Sequence, residues 1–333
     1  MELNGKKLLI TGIAGFIGRR MAELALDRGM IVRGLQRSQS KAQQIEQLGI
    51  DVVVGSVTDP AACRAACAGV DIVLHTAALA KEQGSLPDFR AVNVEGTAAV
   101  ATAAKAAGVK TFVHLSSVMV YGFSYADQIT ETGPLRGDNN PYCQTKIEGE
   151  QVLLALNSPP EFGIIIIRPG DVYGPGSIPW VIRPVVLMRK RMFILANSGR
   201  GVMNHVYIDN LIEAIFLAIE HKPYGQAFNI TDGQETSWKD YFTRLAEIEG
   251  IHLPFSLPAS SLKALIRLHG LTQTVLGQTR DPLPGTIDFV TRPHAYSINK
   301  AKTELAYQPR ISLEEGMKLT KDWLHKTDLE SCI

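Results

Sequence analysis

The fold is decided by one stretch near the start of the chain, Lys7-Leu8-Leu9-Ile10-Thr11-Gly12-Ile13-Ala14-Gly15-Phe16-Ile17-Gly18. An apolar run of strand length leads into three glycines, and a helical pattern follows directly. Glycines allow a tight turn and a close approach of the backbone to a ligand. The first N–H groups of the following helix would then point at a phosphate. The stretch therefore predicts a strand, a phosphate-binding turn and a helix.

Strand and helix patterns alternate through the first half of the chain. The predicted strands are Leu8–Thr11, Ile31–Leu35, Asp51–Val54, Asp71–His75, Thr111–Leu115 and Ile164–Ile167. The predicted helices are Phe16–Arg28, Ser40–Leu48, a short one from Pro60, Pro87–Ala107 and Pro141–Leu156. The last strand is four consecutive isoleucines, as expected where helices cover both faces of a sheet. This order predicts an α/β fold with a doubly wound parallel sheet.

Proline and glycine interrupt the regular pattern after Arg168, which indicates loops and short elements. We expect a first domain over residues 1–168, with its sheet completed by residues 202–231. A smaller lobe would consist of residues 169–201 and 232–333. Within that lobe the stretch from His252 to Arg292 is difficult to interpret, apart from a helical patch at Ser260–Leu268.

Composition excludes several classes of protein. The 333 residues carry a net charge of +1, which argues against a nucleic-acid partner and against an anionic membrane surface. No apolar run is long enough to span a bilayer. Lys6 and Lys7 lead directly into the first strand rather than into a signal peptide, so we expect a cytoplasmic location.

Cysteine and histidine spacings do not indicate a disulfide framework or a metal site. The four cysteines are Cys63, Cys67, Cys143 and Cys332. Cys63 and Cys67 would share one helix face, where two small buried residues are the main interpretation and a metal pair is the alternative. The eight histidines form no zinc-binding spacing, so no metal is predicted.

The pattern that indicates catalysis lies between the fifth and sixth strands. Ser116 and Ser117 follow the fifth strand, at the sheet edge where α/β folds bind ligands. Tyr142 and Lys146 are four residues apart and therefore share one face of the next helix. A nearby lysine lowers the tyrosine pKa from about 10, and a serine can hold a substrate oxygen. Such a set suits proton transfer to or from an alcohol while a nicotinamide exchanges a hydride, although a surface Tyr–Lys pair is the simpler alternative.

The chain resembles the extended short-chain dehydrogenase/reductase family, also described as the NAD-dependent epimerase/dehydratase family. The matching segments, in order, are Thr11-Gly12-x-x-Gly15-Phe16-Ile17-Gly18, His75-Thr76-Ala77-Ala78, Asn93-Val94-x-Gly96-Thr97, Ser116-Ser117-x-x-Val120-Tyr121-Gly122, Tyr142-x-x-x-Lys146 and Arg168-Pro169-x-x-x-Tyr173-Gly174-Pro175-Gly176. The resemblance implies a Rossmann sheet with a smaller C-terminal substrate-binding lobe. The segment Arg292–Gly316 is similar to the 3β-hydroxysteroid dehydrogenase-like branch, a similarity shared with sugar-nucleotide relatives.

The resemblance assigns roles to four residues. Tyr142 would be the acid/base, and Lys146 would bind the nicotinamide ribose and tune Tyr142. Ser117, rather than its neighbour Ser116, would orient the substrate. Asn93 would support the site from the neighbouring helix, although a helix-start cap would also explain an asparagine there.

A dinucleotide is the implied cofactor. The implied contacts are Gly12, Ala14, Gly15, Phe16, Ile17, Gly18, Arg37, Ser56, Val57, Ala77, Ala78, Tyr142, Lys146 and Pro169. The second strand ends without the acidic residue that usually binds the ribose of NAD. Arg37, helped by Lys41, would pair with a 2′-phosphate, whereas a solvated loop charge is the alternative. Ser56 replaces an aspartate that many relatives carry beside the adenine. We therefore predict NADP, with NAD as the alternative.

The leading functional hypothesis is an oxidoreductase that interconverts a secondary alcohol and a carbonyl. The alternatives are a nucleotide-sugar 4-epimerase or dehydratase with a recycled cofactor, and a non-catalytic NADP-binding regulator. Val118 and Met119 follow Ser117 where dehydratases usually need an acidic pair, which argues against dehydration. The apolar segment Leu253–Val290 would be a lid over the substrate, a membrane-touching helix or simple packing.

The expected partners are a small-molecule substrate and a second copy of the chain. The resemblance implies a homodimer formed by the helices Pro87–Ala107 and Pro141–Leu156, and membrane contact is not expected. For a nucleotide-sugar substrate, five cations are candidates to bind the diphosphate: Arg183, Arg189, Lys190, Arg191 and Arg200.

Overall fold

The computed structural model describes residues 3–80, 84–251, 255–266 and 285–329. The strands are β1 (Lys7–Thr11), β2 (Ile31–Gln36), β3 (Asp51–Val54), β4 (Ile72–His75), β5 (Thr111–Leu115), β6 (Gly163–Pro169), β7 (Asp171–Tyr173), β8 (Leu195–Ala196), β9 (Val202–Met203), β10 (His205–Tyr207), β11 (Gln226–Ile230), β12 (Thr236–Ser237) and β13 (Ser256–Leu257). The helices are α1 (Phe16–Asp27), α2 (Gln39–Glu46), α3 (Pro60–Cys67), α4 (Leu86–Arg90), α5 (Thr97–Ala106), α6 (Pro141–Leu156), α7 (Arg183–Arg189), α8 (Ile208–His221), α9 (Trp238–Ile248), α10 (259–266), α11 (Gly285–Val290), α12 (Asn299–Glu304) and α13 (Leu313–Leu324).

The central sheet has seven strands in the order β11-β6-β5-β4-β1-β2-β3. Every neighbouring pair is parallel. The chain proceeds from β1 outward to β3 and then crosses back to β4, so the strand order reverses between β1 and β4. A crevice opens at such a switch point, beyond the carboxyl ends of the strands, and it is where doubly wound sheets bind ligands. The predicted α/β Rossmann sheet is confirmed.

Two apolar clusters cover the two faces of the sheet. Successive side chains of a strand point to opposite faces. Leu8 and Ile10 of β1 therefore join the cluster that packs under α1 and α8, whereas Leu9 joins the cluster under α3, α5 and α6. β4, β5 and β6 are buried along their whole length, which explains their continuous apolar sequences.

Small two-stranded sheets build the C-terminal lobe. β10 pairs with β7, β9 with β12 and β13 with β8. Within the stretch 202–231, β11 alone joins the central sheet, and β9 and β10 lie in the small sheets instead.

The predicted helix Pro87–Ala107 is present as an uninterrupted helical stretch, but its middle is not α-helical. It consists of α4, a π-helical segment at Ala91–Gly96 and α5, in direct succession. Ser85 begins this succession, because its side chain and that of Asp88 form a reciprocal capping box. The π turn is wider than an α-helical turn and lies around Asn93. The Asn93 side chain contacts the loop after β4.

Other parts of the sequence interpretation fall partly outside the described residues. Of the predicted patch Ser260–Leu268, residues up to 266 are helical and the last two are outside. Cys332 and most of the segment Leu253–Val290 are also outside. Cys63 and Cys67 lie on the buried face of α3, and burial raises their thiol pKa values to about 11 and about 12.

Within the described ranges, no helix has the length and apolar character needed to cross a bilayer. No group of three or more His, Cys, Asp or Glu side chains in those ranges is arranged to hold a metal ion.

Candidate active site

Tyr142 is fixed by the start of α6. Pro141 occupies the first helical position, where a missing N–H is harmless. Asn140 caps the helix, because its Oδ1 accepts from the amides of Tyr142 at 3.0 Å and Cys143 at 3.1 Å. The cap satisfies amides that lack helical partners and sets the position of the tyrosine backbone.

Ser117 lies beside the Tyr142 phenol and influences its pKa. Ser117 follows β5 and begins a short 3₁₀ turn, in which its Oγ accepts from the amide of Met119 at 3.2 Å. Burial raises the pKa of the Tyr142 phenol to about 12, and the hydrogen bond to Ser117 opposes that shift. The phenol is therefore protonated at neutral pH and can act as a proton donor.

Lys146 lies one turn further along α6 and is buried. Its Nζ donates to the backbone oxygen of Leu115, at the end of β5, over 2.6 Å. Burial lowers the lysine pKa to about 8, while Glu150 has the opposite effect. The expectation was that Lys146 lowers the Tyr142 pKa. In the structure the ammonium group donates to the Leu115 carbonyl, and burial is the largest influence on the pKa of the phenol.

The structure gives the two adjacent serines different surroundings. Ser116 Oγ donates to Glu150 Oε1 at 2.5 Å. The same carboxylate binds the Arg168 guanidinium through two hydrogen bonds of 2.9 and 2.6 Å. Ser116 therefore belongs to a buried ionic network, and Ser117 is the serine beside Tyr142.

Asn93 is not a helix cap, because it lies inside the π-helical segment. Its Nδ2 donates to the Leu79 carbonyl and to Thr145 Oγ1, both at 3.1 Å. Its Oδ1 accepts from the amide of Leu79 at 2.7 Å. The side chain thus ties the loop after β4 to the first turns of α6.

The glycine turn fits a dinucleotide phosphate. Gly12 has a φ of +69°, and a Cβ there would lie 3.0 Å from Ala77 Cα. A Cβ on Gly18 would lie 2.5 Å from the Gly12 carbonyl oxygen. α1 begins after Gly15 with no side-chain cap and no acidic residue in its first turn. Its first amides are therefore available to an anion, as the sequence pattern requires.

Residues predicted to contact the rest of the dinucleotide lie around the same crevice. Ala77 donates its amide to Thr11 Oγ1 at 3.2 Å and faces the glycine turn, and Ala78 after it is exposed. Pro169 ends β6 and is buried. The remaining members of the predicted glycine-turn set, Ala14, Phe16 and Ile17, are partly buried at the start of α1.

The residues predicted for the adenosine end follow β2 and β3. Arg37 is exposed directly after β2 and precedes Ser38, the residue before α2. Ser56 Oγ lies 2.8 Å from Thr58 Oγ1 and accepts from the Thr58 amide, so it is engaged within its own turn. Val57 is buried, and its carbonyl accepts from the thiol of Cys63 at 3.3 Å.

Sequence reasoning assigned no role to Glu150 or His75. Glu150 lies four residues after Lys146, so its position on the catalytic face of α6 was readable from helical spacing. Its partner Arg168 belongs to a segment that matches the family, but no role was assigned to it. His75 likewise ended a motif, and its two ring contacts depend on residues that only the fold brings together.

Comparisons with known proteins agree with this geometry. Residues 8–231 match the family model described as "NAD dependent epimerase/dehydratase family". A ketoreductase from Stigmatella aurantiaca, named for 4-hydroxy-2-methyl-3-oxo-4-farnesyl-3,4-dihydroquinoline-1-oxide, is 28% identical over 320 residues, covering 93% of this chain and 94% of that protein. A 3β-hydroxysteroid dehydrogenase/Δ5→4-isomerase from Mycobacterium tuberculosis is 30% identical over 336 residues, covering 93% and 88%.

Solved structures share the fold. UDP-glucose 4-epimerase from Thermotoga maritima superimposes with a TM-score of 0.77 at 23% identity, covering 96% of this chain and 99% of that one. The family match spans more than half of the chain and includes the glycine turn, Ser117, Tyr142 and Lys146. The chain therefore belongs to the NAD-dependent epimerase/dehydratase family, the extended short-chain dehydrogenases/reductases, and is an NAD(P)-dependent enzyme.

Proposed function

We propose that the protein is an NADPH-dependent reductase that converts an apolar ketone into a secondary alcohol. The observation that carries the proposal is the Ser117–Tyr142 pair, with its phenol protonated at neutral pH. A bound nicotinamide dinucleotide supplies the hydride for the carbonyl carbon. Tyr142 donates its proton to the carbonyl oxygen, and Ser117 holds that oxygen by a hydrogen bond. Reduction needs a proton donor at this position, and a protonated phenol can supply it.

An aromatic wall supports an apolar substrate. We use this name for Phe123, Trp180 and Phe289, which are all partly buried. Phe289 contacts Phe123 edge-on at 6.4 Å and stacks on Trp180 at 5.8 Å between ring centroids. Phe123 follows the turn that starts at Ser117, so the wall continues from the candidate site into the C-terminal lobe. We propose that this lobe, residues 169–201 and 232–333, binds the substrate.

The charges near the wall also favour an apolar substrate over a nucleotide sugar. The Arg292 guanidinium lies 3.9 Å from the Phe289 ring centroid, but it is buried and paired with Asp171. Arg189, a candidate for a diphosphate, is paired with Glu249. Two relatives named above act, by their names, on a farnesylated oxo compound and a steroid. Another is a 2-alkyl-3-oxoalkanoate reductase from Stenotrophomonas maltophilia, 29% identical over 335 residues.

A panel of substrates tests the reaction. NADPH oxidation is followed with long-chain alkyl, isoprenoid and steroid ketones, and UDP-glucose is supplied in parallel with product analysis by chromatography. We expect turnover of at least one apolar ketone and none of the sugar nucleotide. Epimerised UDP-glucose without net NADPH consumption would instead support the 4-epimerase alternative. NADPH binding without turnover of any compound would support a non-catalytic regulator.

The preference for NADP rests on Arg37. Its exposed guanidinium directly after β2 can pair with a 2′-phosphate, and Lys41 of α2 is exposed close by in sequence. Arg37→Ala should weaken NADPH binding by about tenfold or more, the loss of one charge-assisted hydrogen bond, and leave NADH affinity unchanged. Fluorescence titration of both dinucleotides measures this. At least tenfold tighter NADH binding by the unsubstituted protein would refute the preference.

We also propose a homodimer through α5 and α6. Leu154 on α6 is 41% exposed, which leaves an apolar side chain available to a second copy. Light scattering should give the mass of two chains. A monomer at micromolar concentration would contradict this assembly.

A further inference from the structure

A chain of buried polar groups runs beneath the candidate site. Thr11 Oγ1, at the end of β1, accepts from the Ala77 amide and lies 2.8 Å from His75 Nδ1. His75 Nε2 lies 3.0 Å from Thr97 Oγ1, at the start of α5. Thr97 Oγ1 donates to the Asn93 carbonyl at 2.8 Å. Thr11, His75, Thr97 and Asn93 are at most 2% exposed, so water does not compete for these contacts.

The chain continues into α6. Asn93 Nδ2 donates to Thr145 Oγ1, and that hydroxyl donates to the Pro141 carbonyl at 2.7 Å. Pro141 is the first residue of α6 and precedes Tyr142. These contacts, which pass from the main-chain carbonyl of Asn93 to its side chain, therefore connect the residues around the glycine turn to the helix end that carries the candidate acid.

One arrangement of protons satisfies every member of the chain. The single hydroxyl proton of Thr97 goes to the Asn93 carbonyl, so Thr97 must accept from His75, and the proton of the ring lies on Nε2. Nδ1 is then an acceptor and receives the hydroxyl proton of Thr11. The oxygen of Thr11 is left to accept the Ala77 amide. Each donor has one acceptor, and a doubly protonated ring would leave the Thr11 hydroxyl proton without its partner.

His75 stays neutral, which keeps this arrangement in place. Burial lowers its pKa to about 3, and the positive charge of Lys146 acts in the same direction. The titratable ring that faces it, His114, stacks at 5.5 Å and is buried, and its pKa is also held far below the ordinary value. Across the pH range of a nicotinamide enzyme the chain therefore does not titrate.

We propose that His75 is a positioning residue that couples the dinucleotide site to α6, through Thr11 on one side and Thr97 and Asn93 on the other. The turn that holds the dinucleotide and the helix that carries Tyr142 then move as one unit. The inference rests on the proposed function, because this coupling matters only if the dinucleotide and the Tyr142 acid take part in the same reaction.

Thr97→Val is the mildest substitution that interrupts this chain of hydrogen bonds, and it tests the coupling. Valine keeps the shape of threonine and removes the hydroxyl on which His75 and Asn93 depend. We expect NADPH affinity, measured by fluorescence titration without turnover, to fall about tenfold, and kcat to fall by a similar factor. Thr97→Ser restores the hydroxyl and should return both values to those of the unsubstituted protein.

Thr320→Val is the matched control. Thr320 is fully buried in α13, and its hydroxyl donates to the carbonyl four residues earlier at 2.7 Å, as that of Thr97 does. It lies outside the chain of contacts just described. This variant should lower the melting temperature as Thr97→Val does, with NADPH affinity unchanged.

Two results would overturn the inference. The first is a Thr97→Val protein that melts earlier yet keeps its NADPH affinity and kcat, since the contacts would then be structural only. The second is equal losses of NADPH affinity in Thr97→Val and Thr320→Val. The binding readout separates this failure from failure of the proposed function, because NADPH affinity is measured whether or not a ketone is reduced.

Discussion

The two halves of α6 are held in place by different chemistry. Tyr142, Lys146 and Glu150 follow one another at every fourth residue and share one face of the helix. The first turn, which carries Tyr142, is supported by neutral groups, the Asn140 cap and the contact between Thr145 and Asn93. The second half is supported by charge, because Glu150 binds the Arg168 guanidinium and both are at least 95% buried.

This difference means that one part of α6 carries the reactive group and another part fixes the helix to the sheet. A buried ion pair is costly to break, because the remaining partner keeps an uncompensated charge. Glu150 and Arg168 therefore fix α6 to β6 whether or not a ligand is present. Near Tyr142 burial is the largest influence on the pKa of the phenol and keeps it protonated. The helix is thus anchored at one half and reactive at the other.

The largest effect is expected at the reactive half. Tyr142→Phe should lower kcat by roughly 10²- to 10⁴-fold, the usual contribution of a general acid, with NADPH affinity unchanged. Tyr224→Phe is the control, since its hydroxyl contacts Thr111 at the opposite end of the sheet. Steady-state kinetics and fluorescence titration measure the two quantities. Retained turnover in Tyr142→Phe would remove the tyrosine from the reaction.

The anchoring half should respond in stability instead. Glu150→Ala leaves Arg168 buried without its partner and should cost about 3–5 kcal/mol in the free energy of unfolding. Glu148→Ala, on the same helix, removes an exposed ion pair with Arg90 and should cost about 1 kcal/mol or less. Urea denaturation compares the two variants. Equal losses would mean that burial does not distinguish these pairs.

The adjacent residues Ser116 and Ser117 allow the effects on stability and on kcat to be compared at neighbouring positions. Ser117→Ala should lower kcat about ten- to a hundredfold, because it removes a hydrogen bond to the developing oxyanion, with little change in stability. Ser116→Ala should cost about 1 kcal/mol of stability through its bond to Glu150 and leave kcat close to that of the unsubstituted protein. A larger kcat loss in Ser116→Ala would reverse the assignment.

The pH dependence of the two reaction directions tests the protonated phenol. Reduction needs Tyr142 protonated, so its kcat/KM should stay level from about pH 6 to about pH 8. Oxidation needs the phenolate, whose fraction rises about tenfold per pH unit below the phenol pKa, so its kcat/KM should rise over the same range. Stopped assays in both directions measure this. Oxidation that levels off near neutral pH would indicate a tyrosine with a much lower pKa.

Local sequence patterns were sufficient for the reactive half of the site. The glycine turn is a contiguous motif, and the four-residue spacing of Tyr142 and Lys146 specifies one helix face without any tertiary information. The choice of Ser117 over Ser116 came from the resemblance to the family. The doubly wound parallel sheet also follows from the β-α alternation, because connections of this kind are right-handed.

The supporting contacts could not be predicted from the sequence, because they join residues that are far apart along the chain. Asn93 meets Thr145 across 52 residues, and Glu150 meets Arg168 only when α6 packs on β6. The π turn was missed because apolar and small residues continue through it without a break in pattern. The lysine effect on Tyr142 was expected from proximity along the helix, whereas the direction of the Lys146 side chain is set by Leu115.

The wide turn at Ala91–Gly96 holds one residue more than an α-helical turn would, because π-helical hydrogen bonds span five residues rather than four. The turn absorbs this extra residue, so α5 presents the same buried face to the sheet as it would after a regular helix. Removing one residue between Asn93 and Thr97 would convert the turn to regular α-helix and leave α5 in place. The damage would fall on Asn93, whose contacts with Leu79 lie in the widened part of the backbone. A one-residue deletion here should therefore harm the candidate site more than the fold.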